Sequence, residues 1–325
     1  MSVLKDSISK VIKVDRNTHF ETEGISLAIG FFDGLHLGHQ ALIKEALDSE
    51  YMPCVLTFSD EFKSALCGKA RELLRTAEEK EKVLLHSGIK KIFILPYKDS
   101  VVHSSIETFL DFLTNRHVRK IVVGKDFTFG DKGIGKPMDL LRREDRGCEV
   151  VIKDLMDFEY KGTRQKISSS AIKQLLKDKG LEEANKLLGY PYIRTGKVIK
   201  GHQNGRKIGF PTANMLPPKT KICLPEGVYQ TETLVEGKWY PSRTNIGNHP
   251  TIDEEDKTII ETNIFGVDFD LYGLNITVSF IRYLRDQTKF HSRDDLKRNL
   301  EQLKEEILLG SNNDSKKKGA VAQFG

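Results

Sequence analysis

The stretch that decides the fold of the first half of this chain is Gly30-Phe31-Phe32-Asp33-Gly34-Leu35-His36-Leu37-Gly38-His39. A short apolar run, residues 26–29, precedes it, and apolar residues at helical spacing follow it at Leu42, Ile43, Ala46 and Leu47. An apolar strand, a turn with glycine and a helix are the unit with which α/β proteins present backbone N–H groups to a nucleotide phosphate. We therefore predict a nucleotide-binding turn at residues 30–39.

His36 and His39 are three residues apart at the predicted start of this helix, so both imidazoles fall on one face. Gly38 adds no side-chain bulk between them. Two imidazoles at a helix start can hold the negative charge that develops on a triphosphate during group transfer. The alternative interpretation is a helix cap with two surface histidines that bind nothing.

Two further segments have the composition of a phosphate site. Ser168, Ser169, Ser170 and Lys173 lie at the predicted start of a helix over residues 171–177. One serine is enough for a cap, whereas three hydroxyls and a cation suit phosphate oxygens. Upstream, an apolar strand at residues 121–123 runs into a turn that contains Gly124, Asp126 and two aromatic residues. Because ligands bind beyond the carboxyl ends of parallel strands, we expect this turn at the same edge of the sheet.

Composition predicts two domains and excludes several classes of protein. A chain of 325 residues exceeds the usual size of a single core. A hydrophobic content of 38% and a charged content of 30% are typical of a soluble globular protein. The net charge of +5 fits a protein that binds anionic nucleotides, but a solvated surface explains it equally well. We therefore predict no nucleic-acid partner. The sequence indicates no oligomeric state.

Cysteine use and the N-terminal residues predict a cytoplasmic protein with no membrane partner. The four cysteines have neither a zinc-site spacing nor the density of a disulfide framework. Residues 1–15 mix charges with single apolar residues and lack the core of a signal peptide. No stretch approaches the length of a transmembrane helix.

Periodicity predicts an α/β half followed by a β half. Short apolar runs at residues 54–58, 91–95, 121–123 and 148–152 alternate with helical patterns at 76–87 and 105–116, which favours a parallel sheet. After residues 189–192, closely spaced strands such as 227–233 and 275–280 favour an antiparallel barrel. Ser292 is predicted to cap a closing helix. We place the domains at residues 1–186 and 187–309, with a solvated tail at 310–325.

The motifs together resemble one family, the prokaryotic bifunctional riboflavin kinase/FAD synthetases. G-F-F-D-G-L-H-L-G-H, V-G-K-D-F-T-F-G and I-S-S-S-A-I-K are similar to its adenylyltransferase module. G-H-Q-N-G-R-K-I-G-F-P-T-A-N, residues 201–214, is similar to its kinase signature. The resemblance extends from about residue 25 to about residue 308. It implies a Rossmann-like nucleotidyltransferase domain followed by a riboflavin kinase barrel.

For the first domain, the resemblance implies transfer of the AMP part of ATP to FMN, with release of pyrophosphate. The nucleophile is already a phosphate oxygen, so the reaction needs alignment and charge neutralisation more than a base. The implied catalytic residues are His36 and His39. The implied ATP-binding residues are Gly30, Phe31, Phe32, Asp33, Gly34, His36, Gly38, His39, Gly124, Asp126, Ser168, Ser169, Ser170 and Lys173.

The chain departs from the family pattern within this first domain. Many members have Asn where Phe31 stands, and Arg where Lys173 stands. Members usually carry T-F-D-P-H-P after the second strand, whereas residues 57–63 here read T-F-S-D-E-F-K. Lysine lacks the bidentate fork of arginine, and Asp60 and Glu61 would repel the FMN phosphate if they faced it.

For the second domain, the resemblance implies attack of the riboflavin 5′-hydroxyl on the γ-phosphate of ATP. The glycines at 201, 205 and 209 permit close approach of backbone to phosphate. The implied ATP-binding residues are Gly201, Gly205, Arg206, Gly209, Phe210, Pro211 and Thr212. Thr212 and Asn214 offer the oxygen ligands that Mg²⁺ accepts beside phosphates and water.

A hydroxyl nucleophile requires a base, and Glu261 matches the position of the family's base. The alternative for Glu261 is an outward-facing residue on an alternating strand. The resemblance places Asn245 and Arg285 on the flavin side, with Gln287 in place of a usual Glu.

The expected function is a bifunctional enzyme that converts riboflavin to FMN and FMN to FAD, with ATP as co-substrate and Mg²⁺ as cofactor. One alternative is a chain in which either the kinase or the adenylyltransferase module is degenerate. Another is a flavin-binding regulatory protein that keeps the fold and little turnover. An aminoacyl-tRNA synthetase relative is disfavoured because no anticodon-binding extension is evident.

Overall fold

The computed structural model describes residues 10–18, 24–61, 72–114, 117–200, 210–216, 220–251, 254–267, 270–288 and 292–313. The chain divides into two compact units, Met1–Ser169 and Ser170–Gly325. The domain boundary that we placed between residues 186 and 187 stays a prediction.

The first unit contains a six-stranded sheet in which all neighbouring strands are parallel. Its strands are β1 (Val11–Lys13), β2 (Ile25–Ile29), β3 (Met52–Phe58), β4 (Lys91–Leu95), β5 (Val118–Gly124) and β6 (Glu149–Lys153). Its helices are α1 (Leu37–Leu47), α2 (Ala77–His86), α3 (Ile106–Thr114) and the short α4 (Pro137–Leu140). This architecture confirms the α/β prediction.

The strand order β1-β4-β3-β2-β5-β6 determines where a ligand fits. The chain proceeds from β2 outward through β3 and β4, and then returns to place β5 on the other side of β2. In open parallel sheets, ligands bind at such a reversal of strand order, outside the carboxyl ends of the strands. Here those ends are Ile29 and Gly124, each directly beside a predicted nucleotide-binding turn.

Sequence patterns explain the first unit's elements well. All five residues of β2 are buried, as expected of a strand covered on both faces. Thr76 and Glu79 form a reciprocal capping box that starts α2 one residue inside the predicted segment. Leu42, Ile43 and Ala46 are the buried residues of α1.

Two β elements of the first unit, a strand and a hairpin, were absent from the sequence interpretation. One is β1, three residues that pair in parallel with β4 at the sheet edge. The other is a hairpin of β7 (Asp157–Tyr160) and β8 (Thr163–Lys166), which forms a separate two-stranded sheet. Both are short, and β8 is exposed throughout, so neither has an apolar period to detect.

The second unit is built on a six-stranded antiparallel sheet. Its strands are β9 (Tyr192–Lys197), β10 (Ala213–Met215), β11 (Gly227–Val235), β12 (Lys238–Thr251), β13 (Glu254–Ile264) and β14 (Asn275–Arg285). The order is β10-β13-β12-β11-β14-β9. The outer edges meet where the Ile199 N–H donates to the Asn214 carbonyl oxygen at 2.8 Å, which curls the sheet into the predicted barrel.

The helices of this part of the chain are α5 (Ser169–Lys177), α6 (Leu181–Leu188) and α7 (Arg293–Asn313). α6 buries Leu181, Ala184, Leu187 and Leu188, which recur at helical spacing. α7 is the predicted closing helix, and Ser292 caps it by accepting a hydrogen bond from the Asp295 N–H at 3.1 Å. Its buried residues Leu300, Leu303 and Ile307 have the expected helical spacing.

One face of the barrel sheet is buried and unusually polar. Its buried hydroxyls bond to one another across three strands: Thr231, Thr233, Ser242, Thr244 and Thr262. Because each hydroxyl both donates and accepts, such a cluster satisfies itself without water. The side chains that alternate with these hydroxyls therefore face the other way, and the candidate kinase residues are among them.

Within the described residues, we find no helix that combines the length and the apolar character needed to cross a membrane. Cys54, Cys148 and Cys223 are free thiols, and burial raises the pKa of Cys54 to about 12. Cys67 lies outside the described residues.

Candidate active sites

The two histidines of the first unit form a stacked pair at the start of α1. The imidazole rings lie 3.7 Å apart between centroids, with an angle of 18° between their planes. His36 is the N-cap of the helix, and its Nδ1 accepts a hydrogen bond from the His39 N–H at 3.4 Å. His36 is therefore a helix cap, as the alternative interpretation of the sequence expects. The two rings also lie together at the positive helix end, as the phosphate-binding interpretation expects.

Gly38 permits this stack. A Cβ atom added at this glycine would lie 3.3 Å from both Cε1 and Nδ1 of the His36 ring. That distance is tighter than ordinary contact, so the ring would have to shift. The glycine thus preserves the position of His36 above His39.

The turn between β2 and α1 is conformationally strained and tied down. Phe32 and Leu35 have positive φ angles of 53° and 47°, which are rare outside glycine. The Asp33 carboxylate accepts a hydrogen bond from the Leu74 N–H at 2.9 Å. The Ser169 hydroxyl donates to the Asp33 carbonyl oxygen at 2.7 Å. Ser169, the last residue of the first unit, is therefore in direct contact with the turn at residues 30–39.

We expect Gly34→Ala to lower the free energy of unfolding of the first unit by at least about 2 kcal/mol. Gly34 has a φ of +84°, and an added Cβ would lie 2.5 Å from Leu74 Cδ1. The backbone conformation alone costs alanine roughly 1–2 kcal/mol, and the clash adds to it. Calorimetric unfolding measures the change. The matched control is Gly147→Ala, which has a φ of +73° and open space around the added atom. Equal effects for the two variants would contradict the role of the clash.

A cavity of about 450 Å³ opens beside the carboxyl ends of β2, β3 and β5. Five residues of the predicted ATP site line it: Gly30, Phe31, His39, Gly124 and Asp126. Six phenylalanine and tyrosine residues contribute to its wall: Phe31, Phe58, Tyr97, Phe109, Phe127 and Phe129. His103 and Lys132 are the other basic residues of its lining. The aromatic wall was missed from the sequence because its members come from separate segments; only the F-T-F of residues 127–129 signalled it.

The remaining predicted residues of the first site differ in accessibility. Phe32 is fully buried, so its side chain is a packing residue. The Asp126 carboxylate pairs with Lys166 Nζ at 2.8 Å, and both side chains are about half exposed. Ser168 and Ser169 are half-buried and Ser170 is exposed. Their contacts with ATP, and those of Lys173, which falls in the second unit, stay predictions.

The segment that departs from the family pattern is held by its own contacts. The Ser59 hydroxyl accepts a hydrogen bond from the Tyr97 N–H at 3.2 Å. An Asp60 oxygen lies 3.8 Å from Lys80 Nζ, whose side chain is buried. Burial lowers the pKa of Lys80, and the charge of Asp60 opposes that lowering. The Asp60 carboxylate therefore lies beside a cation, which offsets its repulsion of an FMN phosphate. Glu61, by contrast, is exposed.

In the second unit, strand pairing places the predicted kinase residues in one row. Asn214 on β10 lies opposite Glu261 on β13, and Glu261 lies opposite Asn245 on β12. Directly opposed residues of antiparallel strands project from the same face. The row continues from Asn245 through Val228 to Arg285, where β14 bulges. Residues that are far apart in sequence thus become neighbours.

Glu261 is also linked to the second predicted metal ligand. The Thr212 hydroxyl donates to Glu261 Oε1 at 2.8 Å. The Asn263 amide donates to the Pro211 carbonyl oxygen at 2.7 Å, which holds the P-T-A-N segment against β13. A small cavity of about 90 Å³ lies beside Thr212 and Asn214. Phe210 is buried, and Gly201, Gly205, Arg206 and Gly209 lie outside the described residues.

Arg285 connects the barrel to the closing helix. Its guanidinium donates to the Asn299 side chain on α7 at 2.7 Å and to the Thr288 hydroxyl at 2.8 Å. Gln287, in place of the usual Glu, donates to the Ile246 carbonyl oxygen at 2.7 Å. A neutral amide can make that bond, whereas a carboxylate cannot donate it. The contact of Arg285 with flavin stays a prediction.

The donor set fits Mg²⁺ better than a transition metal. No group of three or more His, Cys, Asp or Glu side chains suited to a metal occurs among the residues that the structure describes. Thr212 and Asn214 offer neutral oxygens on neighbouring positions beside Glu261. Mg²⁺ is commonly held by few protein oxygens together with substrate phosphates and water.

Sequence reasoning missed one charged residue of this face. Arg243 is on β12, two residues before Asn245, and lies opposite Asn263 on β13. Residues two apart on a strand project from the same face, so Arg243 belongs to the face that carries Glu261. An arginine inside a mixed polar strand gives no signal of its own in the sequence.

Comparison with known proteins assigns a family to each half of the chain. The FAD synthetase family model matches residues 19–171, and the riboflavin kinase family model matches residues 188–308. The bifunctional riboflavin kinase/FMN adenylyltransferase of Listeria monocytogenes is 34% identical over 283 residues, covering 85% of this chain and 88% of the relative. That of Bacillus subtilis is 32% identical, covering 87% and 91%.

A solved structure from Streptococcus pneumoniae, described as a macrolide-efflux protein, matches with a TM-score of 0.81 and 29% identity. It covers 92% of this chain and 99% of its own. The fold and the two family models define a nucleotidyltransferase joined to a small-molecule kinase. The chain belongs to the bifunctional riboflavin kinase/FMN adenylyltransferase family.

Proposed function

We propose that this chain phosphorylates riboflavin to FMN on its barrel and adenylylates FMN to FAD in its parallel-sheet unit. ATP is the co-substrate of both steps, and pyrophosphate leaves in the second. The observation that carries the proposal is the row of Asn214, Glu261 and Asn245 across three strands of one sheet. This row supports a site in which three groups are neighbours: the metal ligand Asn214, the base Glu261 and the flavin-side amide of Asn245.

In the kinase reaction, Glu261 is the general base. One of its oxygens accepts the Thr212 hydrogen bond, so the other remains available for the proton of the riboflavin 5′-hydroxyl. The hydroxyl oxygen bonds to the γ-phosphorus, the bond from the γ-phosphorus to the bridging oxygen breaks, and ADP leaves. Asn245, next in the row, orients the flavin side of the acceptor.

Thr212 and Asn214 would hold Mg²⁺ beside Glu261. When bound, the ion supplies charge neutralisation on the phosphates of ATP. Both residues adjoin Glu261, so an ion held by them would lie on the same face as the base.

In the adenylyltransferase reaction, a phosphate oxygen of FMN attacks the α-phosphorus of ATP, and pyrophosphate leaves with the electron pair. His36 and His39 hold the charge of the triphosphate at the start of α1, where the helix end adds its own positive field. Neither histidine has to remove a proton, because the nucleophile is already ionised.

The aromatic cavity of the first unit suits the ring system of a flavin. Its volume of about 450 Å³ lies within the range of small-molecule sites, and its walls offer stacking surfaces. His39 and Asp126 lie at the same cavity, so a bound ring would adjoin the nucleotide-binding turn. We assign the ring of FMN to this cavity.

The test is to incubate the purified chain with riboflavin, ATP and Mg²⁺ and to separate the products by anion-exchange chromatography. FMN and FAD together support the proposal. A single product points to one degenerate module, and no product with tight flavin binding points to a regulatory protein. Omission of Mg²⁺ should stop both steps, which checks the cofactor.

We also propose a cytoplasmic location, since the described cysteines are free thiols.

We expect FAD formation to be the slower step in this chain. The departures from the family pattern concentrate in the first domain, at Phe31, Lys173 and residues 59–62, whereas P-T-A-N is intact. Rates of the two steps, measured on one preparation, check this. Glu61→His restores the family's residue at an exposed position and should raise FAD formation alone, and Glu50→His is the matched control. Faster formation of FAD than of FMN in the unmodified protein would contradict it.

A further inference from the structure

Arg243 is a cation on the face of the barrel sheet that carries Glu261. Neither the proton transfer to Glu261 nor the metal ligands Thr212 and Asn214 involve it. It lies on β12 two residues from Asn245 and opposite Asn263 on β13. Glu261 is two residues from Asn263 on the same strand, so Arg243 and Glu261 are diagonal neighbours. Diagonal neighbours on a sheet are within reach of a side chain as long as arginine.

Within the described part of the chain, no hydrogen bond from the Arg243 guanidinium to a protein acceptor is found. This residue is partly buried, and its Nε is shielded from solvent without a hydrogen-bond partner. Among the residues that the structure describes, no carboxylate lies within 4.0 Å of it, so it forms no ion pair there. A guanidinium carries five N–H donors, and leaving them unmatched away from water costs free energy.

Arg243 stays cationic although its surroundings lower its pKa. Burial lowers the pKa of Arg243 to about 10, with the nearby Arg285 adding to the lowering and Glu261 opposing it. The group is therefore protonated at neutral pH. An arginine that is charged and partly desolvated, with no ion pair among the described residues, is suited to bind an anion that arrives with the substrate.

The neighbours of Arg243 indicate which anion. Asn263, opposite it, is bonded to the Pro211 carbonyl oxygen, and Thr212 is the next residue along the chain. Thr212 is bonded to Glu261. Arg243 is thus directly opposite the residue that holds the P-T-A-N segment, which would bind the phosphates of ATP.

We propose that Arg243 binds the oxygens of the γ-phosphoryl group as it moves from ATP to the riboflavin 5′-hydroxyl, which makes it a further catalytic residue of the kinase site. This inference rests on the proposed kinase function of the barrel. In the transfer, the 5′-oxygen bonds to phosphorus, ADP leaves, and Glu261 takes the proton. Arg243 exchanges no proton; it offsets the charge on the three transferred oxygens.

The test compares Arg243→Met and Arg243→Lys with the parent full-length chain in riboflavin phosphorylation. Methionine keeps the length of the stem without the charge, and lysine keeps the charge without the fork. We expect kcat of Arg243→Met to fall about 30-fold, the loss typical of one charge-assisted hydrogen bond, with KM for riboflavin nearly unchanged. The kcat of Arg243→Lys should lie between that of the parent chain and that of Arg243→Met. Free guanidinium, at a concentration that does not denature, should restore part of the Arg243→Met rate.

Two controls separate chemistry from folding. Adenylylation of added FMN by the same preparations reports on the other unit, and Arg282→Met makes the same change at an exposed position of β14. Parent-like kcat in Arg243→Met overturns the proposal. So does a loss that lowers the unfolding midpoint and is restored neither by lysine nor by guanidinium, since that marks a structural role. If the parent chain itself makes no FMN, the proposed kinase function fails first, and this inference falls with it.

Discussion

Glu261→Gln is expected to lower the rate of riboflavin phosphorylation by about 10²- to 10⁴-fold while FMN adenylylation continues at the parent rate. Glutamine retains an oxygen that can accept the hydrogen bond from the Thr212 hydroxyl, so the local packing should survive. It cannot accept the proton of the 5′-hydroxyl. FMN and FAD formation, measured separately on one preparation, give both rates.

The matched control is Glu232→Gln, the same change on β11 of the same sheet. It should leave both activities intact, because Glu232 is not in the row of kinase residues. Binding of ATP should also survive in Glu261→Gln, which would appear as an unchanged KM for ATP. A Glu261→Gln variant that makes FMN at the parent rate would mean that another group, or the phosphate itself, takes the proton.

His39→Ala should reduce FMN adenylylation by about 3–4 kcal/mol in transition-state stabilisation, the scale observed when a preorganised charge stabiliser is removed. The stacked arrangement implies that the two imidazoles act as one unit, so His36→Ala should have a similar effect and the double variant less than the sum. Riboflavin phosphorylation should persist in each variant, because its residues belong to the other unit. Steady-state rates of the two steps measure both.

His36 requires a second variant because it also caps α1. His36→Ala removes the acceptor for the His39 N–H and should cost about 1 kcal/mol of stability. His36→Asn keeps a capping acceptor and removes the imidazole. Loss of adenylylation in His36→Asn at parent stability assigns the effect to the ring. If that variant is fully active, the cap alone is the function of His36; if both activities fall together in a folded variant, the two-site description is wrong.

Local sequence patterns determined much of the fold. The apolar spacing of Leu42, Ile43 and Ala46 predicted the buried face of α1, and the run at residues 91–95 coincides with β4. Such elements are set by side-chain period and by turn residues, which are properties of a short window. The strand β1 and the exposed hairpin of β7 and β8 lack that period, so only pairing with other strands reveals them.

The sequence by itself determined the class of chemistry, because a histidine pair at a helix start and a P-T-A-N segment followed by a glutamate are local arrangements of particular groups. Tertiary structure alone decided which groups meet. Asn214, Asn245 and Glu261 became one row through strand register, and Arg243 joined their face by the same register. Register depends on the packing of the whole sheet, since a slip of one residue would turn every side chain to the opposite face. The aromatic cavity arose likewise from strand ends that only the order of the sheet brings together.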